Sequence, residues 1–383
     1  MDNSRQFLKN YFDIIFGFVF LACSLFFNEL HYNISATFFT VLAVACFAIT
    51  VSSIADILAS RMREPYSSFV LTFSAIIIEI ILLSIFLLEG LSVQSSDSLE
   101  IVKTGMITAV IVDINLLLGL SVFVGGLNFK EQSHNESTSS TYTTILFTSA
   151  IILLVPSIVG IESEFSIVYK VSVAIAVLMI CFYISIFIFQ TRTHSHFFSD
   201  TAKSRIFSMK RHQKKSGDEA DEEEESDDNY IFERFSNTVN IIIIVCVLML
   251  VALLSEIFSH NSLVVLDKHN ISIGLAALGI AIISVAPEIF TSIKAAKDDE
   301  IQRAVNIGMG ASTVSILLAM PIVMFIAYMI GVEFTLEFNV FYLAALVVSI
   351  LLAWKTTEDG ETNYFEGISH LVLFAAYIVM IMF

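Results

Sequence analysis

TFSAIIIEIILLSIFLL, residues 72–88, is an apolar run with a single glutamate, Glu79, near its centre and no basic residue to balance it. A helix needs about 20 such residues to cross the hydrocarbon core of a bilayer, so the run reads as a membrane span. An ionised side chain at mid-membrane costs about 2.5–3.5 kcal/mol on insertion scales, and a residue that expensive needs a reason to be there. Alone, Glu79 is compatible with a protonated carboxyl bonded to a neighbouring helix. SVAPEIFTSI, residues 284–293, sets a second glutamate, Glu288, into another apolar span. Two such residues at corresponding places point to a shared site.

The rest of the chain supports a membrane reading. Of 383 residues, 56% are hydrophobic and 34 are Phe, and the mean hydropathy is +0.81. That is more apolar surface than a soluble domain of this size can bury. The net charge of −17 describes one loop, because nine of the 37 acids lie in DEADEEEESDD, residues 218–228. Apolar runs between polar breaks predict eleven helices at 11–27, 36–58, 68–90, 103–127, 143–161, 167–190, 237–258, 271–294, 303–327, 338–354 and 367–383. The fold class expected is therefore an all-α polytopic membrane protein, since lipid leaves unpaired backbone groups no water to bond.

An odd number of spans puts the termini on opposite sides. With the amino terminus in the cytoplasm, all but Lys103, Lys170 and Lys268 of the 20 Lys and Arg fall on the cytoplasmic side, as the positive-inside rule requires. MDNSRQFLKN, which precedes the first span, has no small-residue cleavage site, so that span is expected to remain. Residues 191–236 are basic first and acidic afterwards, with no apolar periodicity, and read as a cytoplasmic linker. Dividing there gives an amino-terminal helix (1–35), a five-helix unit (36–190), the linker (191–236) and a second five-helix unit (237–383). Five helices repeated in tandem must enter the membrane with opposite polarity, which makes the units inverted repeats, a common transporter architecture.

Pro287 removes a backbone donor just before Glu288 and predicts a kinked or broken helix whose freed carbonyls would help hold a cation. The next helix of each unit adds Thr108, Asp113 and Asn115, or Asn306, Ser312, Thr313 and Ser315. Asp113 and Asn115 stand two positions apart and cannot share a regular helix face, so one of them is expected at the site, with Asn115 preferred. Ser284 is a further candidate. Gly308 and Gly310 would let helices approach closely. Cys23, Cys46, Cys181 and Cys246 lie in apolar stretches without a CxxC pair, which indicates neither a disulfide framework nor a zinc site. His194 and His196 open the linker and read as solvent-exposed. The acidic run lacks the ligand alternation and Gly of an EF-hand loop.

SVAPEIFTSIKAAKDDEIQRAVNIGMGASTVSILLAMP (284–321) resembles the second repeat of the Ca2+/cation antiporter superfamily, and more closely that of the bacterial ChaA-type, CAX-like Ca2+/H+ antiporters. EPYSSFVLTFSAIIIEI (64–80), LLLGLSVFVGGLNFKEQ (116–132), FQTRTHSHFF (189–198) and GETNYFEGISHLVLFAAYIVMIMF (360–383) extend the likeness from about residue 36 to the carboxyl terminus. The resemblance implies that Glu79 and Glu288 are paired ion-binding and proton-accepting carboxylates, with Asn115 and the Asn306–Ser312 segment lining the site. The chain departs from the wider family at Ile77 and Ile78, where a Gly-Asn step is usual, and at Ala311, where Ser is usual.

The expectation is a secondary transporter that exchanges cytoplasmic Ca2+ for external protons by alternating access. The alternative is Na+ or K+ for H+ on the same scaffold. An intramembrane enzyme is disfavoured because the chain has no paired aspartates and no GxGD tract, and a channel because most spans are nearly free of polar residues. The expected partners are Ca2+, H+, Na+ or K+ and the lipid bilayer. No cofactor and no nucleic acid are implied, a homo-oligomer is compatible, and the expected location is a prokaryotic plasma (inner) membrane with an external carboxyl terminus.

Overall fold

The structure is a computed structural model that describes residues 11–62, 66–93, 96–198, 231–269 and 271–382. Its first half contains α1 (Phe12–Glu29), α2 (Asn33–Ser60), α3 (Tyr66–Val93), α4 (Ser96–Ile111), α5 (Leu118–Phe129), α6 (Glu136–Gly160) and α7 (Phe165–Ile188). The second half contains α8 (Asn237–His269), α9 (Ile273–Lys297), α10 (Ile301–Val314), α11 (Met320–Met329), α12 (Val340–Thr357) and α13 (Tyr364–Met382). One π-helical turn, Val112–Leu117, joins α4 to α5, and another, Ser315–Ala319, joins α10 to α11. Each joined pair forms a single span, so eleven spans among the described residues are long and apolar enough to cross a membrane. The MDNSRQFLKN terminus and most of the linker, including the acidic run at 218–228, lie outside the described residues.

Two helix boundaries extend beyond the apolar runs because polar side chains there find partners. STSSTYTT continues α6 towards its amino end. Asn135 caps that end by accepting from the Ser137 amide at 3.0 Å, and Thr141, Thr144 and Thr148 donate to carbonyls one turn back. α8 continues past residue 258, where Asn261 donates to Asn28 at 2.7 Å and His260 meets Glu89 at 2.9 Å. A short antiparallel ribbon, β1 (Glu131–Ser133) with β2 (Glu361–Asn363), is the sheet found among the described residues. Strands so short carry no periodicity for sequence reading to detect.

Contacts sort the loops onto two faces. On one, Arg61 reaches the Glu233 and Phe235 carbonyls, Gln132 reaches the Ala296 carbonyl and Asp299, and His134 meets the Thr357 carbonyl. On the other, Asn261 meets Asn28, Lys103 meets Thr335, and Ser157 accepts from the Phe338 amide. The first is the face that carries most of the Lys and Arg, and is called the basic face below.

The best-buried spans are α4–α5 and α10–α11, each with 78% of its apolar window inside the protein, against 17% for α1. These two spans thus form the centre, while α1, α7 and α8 turn apolar side chains such as Phe18, Val177 and Leu253 outward, as lipid permits. Contacts between the halves come in reciprocal pairs. α2 packs on α9 and α3 on α8; α9 packs on α4 and α3 on α10; α13 packs on α5 and α7 on α11.

Candidate functional site

Glu79 and Glu288 meet at this centre, 4% and 5% exposed. Each arises on the span before the one that carries the π turn of its own half, and each of those helices packs against the π turn of the other half: α3 on Ser315–Ala319, and α9 on Val112–Leu117. A π turn widens the helix by one residue and re-aims the side chains around it, a distortion frequent at functional sites. The two turns begin alike, with the Asp113 carbonyl accepting from the Leu118 amide and the Ser315 carbonyl from the Met320 amide. Ser315 Oγ donates to Glu79 Oε2 at 2.8 Å. Asp113, 1% exposed, lies within reach of the charges of both glutamates, and Glu288 within reach of that of Glu79.

Glu79 Oε1, Glu288 Oε1 and Asp113 Oδ1 are buried with no hydrogen-bond partner. Unsatisfied buried carboxylate oxygens are costly, and their clustering marks a place built for something that supplies positive charge or a proton. Among the described residues no three His, Cys, Asp or Glu side chains converge tightly enough to hold a metal ion as they stand. A close shell around a cation therefore requires the helices to move together.

Glu288 borders a small chamber of about 10 Å3, closed by Ser52, Ser74, Pro287 and Thr291, room for about one water. Ser52, Pro287 and Thr291 also floor a vestibule of about 190 Å3 on the basic face, whose rim carries Asp56, Lys294 and Arg303. The Ser52 and Thr291 hydroxyls bond each other at 3.1 Å across that floor. A larger cavity of about 410 Å3 opens on the opposite face beside Glu100, Lys103, Thr104 and Glu337, and shares no lining residue with the chamber.

The sodium/calcium exchanger protein family matches the chain over residues 12–192 and 239–383. The chain belongs to this family. It is accordingly a membrane transporter rather than an enzyme. The sodium-potassium/proton antiporter ChaA of Escherichia coli (strain K12) is 26% identical over 327 residues, 85% of this chain and 83% of its own. The Ca(2+)/H(+) antiporter of Aphanothece halophytica is 27% identical over 312 residues, 79% and 77% of the two chains. Among solved structures, native YfkE matches with a TM-score of 0.76 at 18% identity, covering 97% of this chain and 99% of that one. The eleven-span exchanger fold is shared.

Within that fold, the residues singled out from the sequence separate. Glu79, Glu288 and Asp113 come together. Asn115 instead donates to Ser349 Oγ at 2.6 Å and meets His370 Nδ1 at 3.1 Å, and the far side of that ring meets Thr356. Asn306 donates to the Phe198 carbonyl at 2.9 Å and accepts from Gln302. Thr108 bonds the Thr104 carbonyl and the Tyr377 hydroxyl, while Ser312 and Ser284 donate to backbone carbonyls of their own helices. Of Asn115 and Asp113, Asp113 is the one within reach of the glutamate charges, and the π turn beginning at Val112 departs from the regular helical spacing on which the preference for Asn115 rests. Pro287, where a kink or break is expected, does not break the helix. α9 runs through it as one helix, with Thr291 Oγ1 donating to the Pro287 carbonyl at 3.1 Å, and the irregular backbone lies in the neighbouring spans. His194 is half-buried, stacked on Phe189 at 4.2 Å, rather than solvent-exposed.

Ser315 was one polar residue among several in the sequence, and Ser52 and Thr291 drew no attention. Serine and threonine commonly bond their own helix backbone, so sequence alone offers no mark that sets Ser315 apart. Gly308 does allow close approach: a Cβ there would stand 3.0 Å from Leu117 Cδ2 and 3.4 Å from the Asp113 carbonyl.

Proposed function

We propose that the chain is a cation/proton antiporter that moves Ca2+ out of the cytoplasm in exchange for external protons, with Glu79 and Glu288 as the alternating carriers of cation and proton. The observation that supports this most directly is the meeting of the two glutamates, one from each half, each with an oxygen left unpaired in the protein interior. Such a pair must be neutralised to cross the membrane, by protons or by a cation but not by both at once, and that competition couples the two fluxes. Asp113 adds a further oxygen donor, and Ser315 orients Glu79. Names of relatives fit the reading, since a Ca(2+)/H(+) antiporter is among them. The basic face is assigned to the cytoplasm from its Lys and Arg, which puts the amino terminus inside, the carboxyl terminus outside, and the protein in a plasma (inner) membrane.

Exchange of Na+ or K+ for H+ is the second reading. The 26% identical relative is named a sodium-potassium/proton antiporter, and among the described residues no three-acid cage stands preassembled for a divalent ion. Everted vesicles loaded with acid decide between them. Proton release on adding Ca2+, absent in Glu288→Gln, supports Ca2+/H+ exchange. Release on adding Na+ or K+ alone moves the cargo to monovalent ions, and no release with any cation refutes the antiport reading.

A further inference from the structure

The halves repeat a basic residue as well as a glutamate. Glu100-Ile-Val-Lys103 lies near the start of α4, and Glu300-Ile-Gln-Arg303 opens α10. Over residues 101–110 and 301–310 the burial pattern is identical position by position, with Lys103 and Arg303 the half-buried members of otherwise buried stretches. The two residues stand on opposite faces of the protein, Lys103 in the larger cavity and Arg303 at the rim of the basic-face vestibule.

Each is tied to the other half. Arg303 pairs with Asp56 of α2, and its second nitrogen lies 3.7 Å from Glu300. Lys103 Nζ donates to Thr335 Oγ1 at 2.8 Å, lies 5.7 Å from the centre of the Phe334 ring, and feels the charges of Glu337 and Glu100. Thr335 and Glu337 sit in the extended segment between α11 and α12. The Arg303 vestibule shares its floor with the Glu288 chamber, so opening the Asp56 contact would clear the shortest way from that face to a site glutamate.

We propose that Lys103 and Arg303 are reciprocal latches: Arg303 with Asp56 holds the halves together on the basic face, Lys103 with Thr335 and Glu337 holds them on the opposite face, and one opens as the other closes. This rests on the exchange cycle proposed above, which needs the site to face each side in turn. A cation arriving at the basic-face vestibule competes with Arg303 for Asp56, and that differential interaction is what can shift a two-state equilibrium. The Arg303–Asp56 contact is about one-third exposed on both sides. A pair of that kind shifts an equilibrium by about fivefold at most, weak enough to be exchanged in every cycle.

The test replaces the four native cysteines and places a single one in either cavity, Ser53→Cys on the basic face or Leu99→Cys on the opposite face. Labelling by a membrane-impermeant thiol reagent is then followed in everted and right-side-out vesicles. Arg303→Gln and Asp56→Asn are each expected to raise Ser53→Cys labelling about two- to fivefold and to lower Leu99→Cys labelling. Lys103→Gln is expected to do the reverse, and the swapped pair D56R/R303D to return both positions towards the parent. Changes confined to the cavity of the substituted residue, or no change at either position, overturn the latches. Cation-driven proton flux of the cysteine-replaced parent is measured separately. Reciprocal labelling without flux keeps the latches and sinks the antiport reading, whereas flux without reciprocity sinks the latches alone.

Discussion

At the scale of single residues, the site divides side chains that face the unpaired carboxylates from those that hold the helices around them, and mutation separates the two. Glu79→Gln and Glu288→Gln should each reduce cation-dependent proton flux to the level of empty vesicles, with an unchanged gel-filtration profile. Ser315→Ala removes a hydrogen bond to a carboxylate, an interaction worth about 1.5–3 kcal/mol when charged, and should weaken the apparent cation affinity about tenfold or more, with recovery in Ser315→Thr. Asp113→Asn is expected to shift the cation concentration dependence. Asn115→Ala should lower thermal stability by about 1–3 kcal/mol, because Ser349 and His370 lose a buried partner, while leaving that dependence near the parent. The reverse pattern would restore Asn115 to the site and remove Asp113. Both glutamates stand out in the sequence because a lone charge in an apolar run contrasts sharply with its surroundings. Asp113 and Ser315 are visible there as polar candidates, but their placement is not, because an inserted π residue changes which face a side chain occupies without changing composition.

Among elements, the crossing of α10 over the first π turn and the basic-face ribbon beside His134 bear the most testable consequences. Gly308 lets α10 lie against Leu117 and the Asp113 carbonyl. Gly308→Val should push the turn outward, costing about 1–3 kcal/mol of stability by overpacking and reducing flux, both readable as a lower Tm and a slower exchange rate. His134, between β1 and α6, is buried, with Nε2 near Ser139 Oγ and the Thr357 carbonyl and Nδ1 unpaired. Burial holds its pKa below the ordinary histidine value of 6.5, although Asp359 and Glu361 pull the other way. A folded-state value below the unfolded one means that the unfolded chain binds the extra proton first. The stability His134 contributes is thus full above about pH 6.5 and is lost as pH falls below it. Hydrogen-exchange protection at residues 131–139, taken relative to the intrinsic exchange rate at each pH, should fall between pH 7.5 and 5.5, and His134→Gln should flatten that response. The spans are legible in the sequence, but the far end of α8 and the ribbon are not, since they depend on partners remote in the chain, nor is the polar start of α6, whose local cap and Thr hydrogen bonds leave no apolar signal.

For the whole molecule, the decisive asymmetry is electrostatic. With three exceptions, the basic residues belong to one set of loops, and the structure gathers the described loops of that set onto one face through contacts such as Arg61 with Glu233 and Gln132 with Asp299. The vestibule nearest Glu288 opens on the same face. If the basic face is inside, as proposed, Glu288 lies nearest the cytoplasmic side and the larger cavity beside Glu100 and Glu337 faces the exterior, while the ion gradients set the direction of net exchange. Two exposed positions read this directly. Lys130→Cys, on the basic face, should react with an impermeant thiol reagent in everted vesicles only, and Glu162→Cys, in the loop between α6 and α7, in right-side-out vesicles only. If the two patterns were exchanged, every contact described would stand, but the acids of the larger cavity would face the cytoplasm and the chain would be built to collect its cation from the other side.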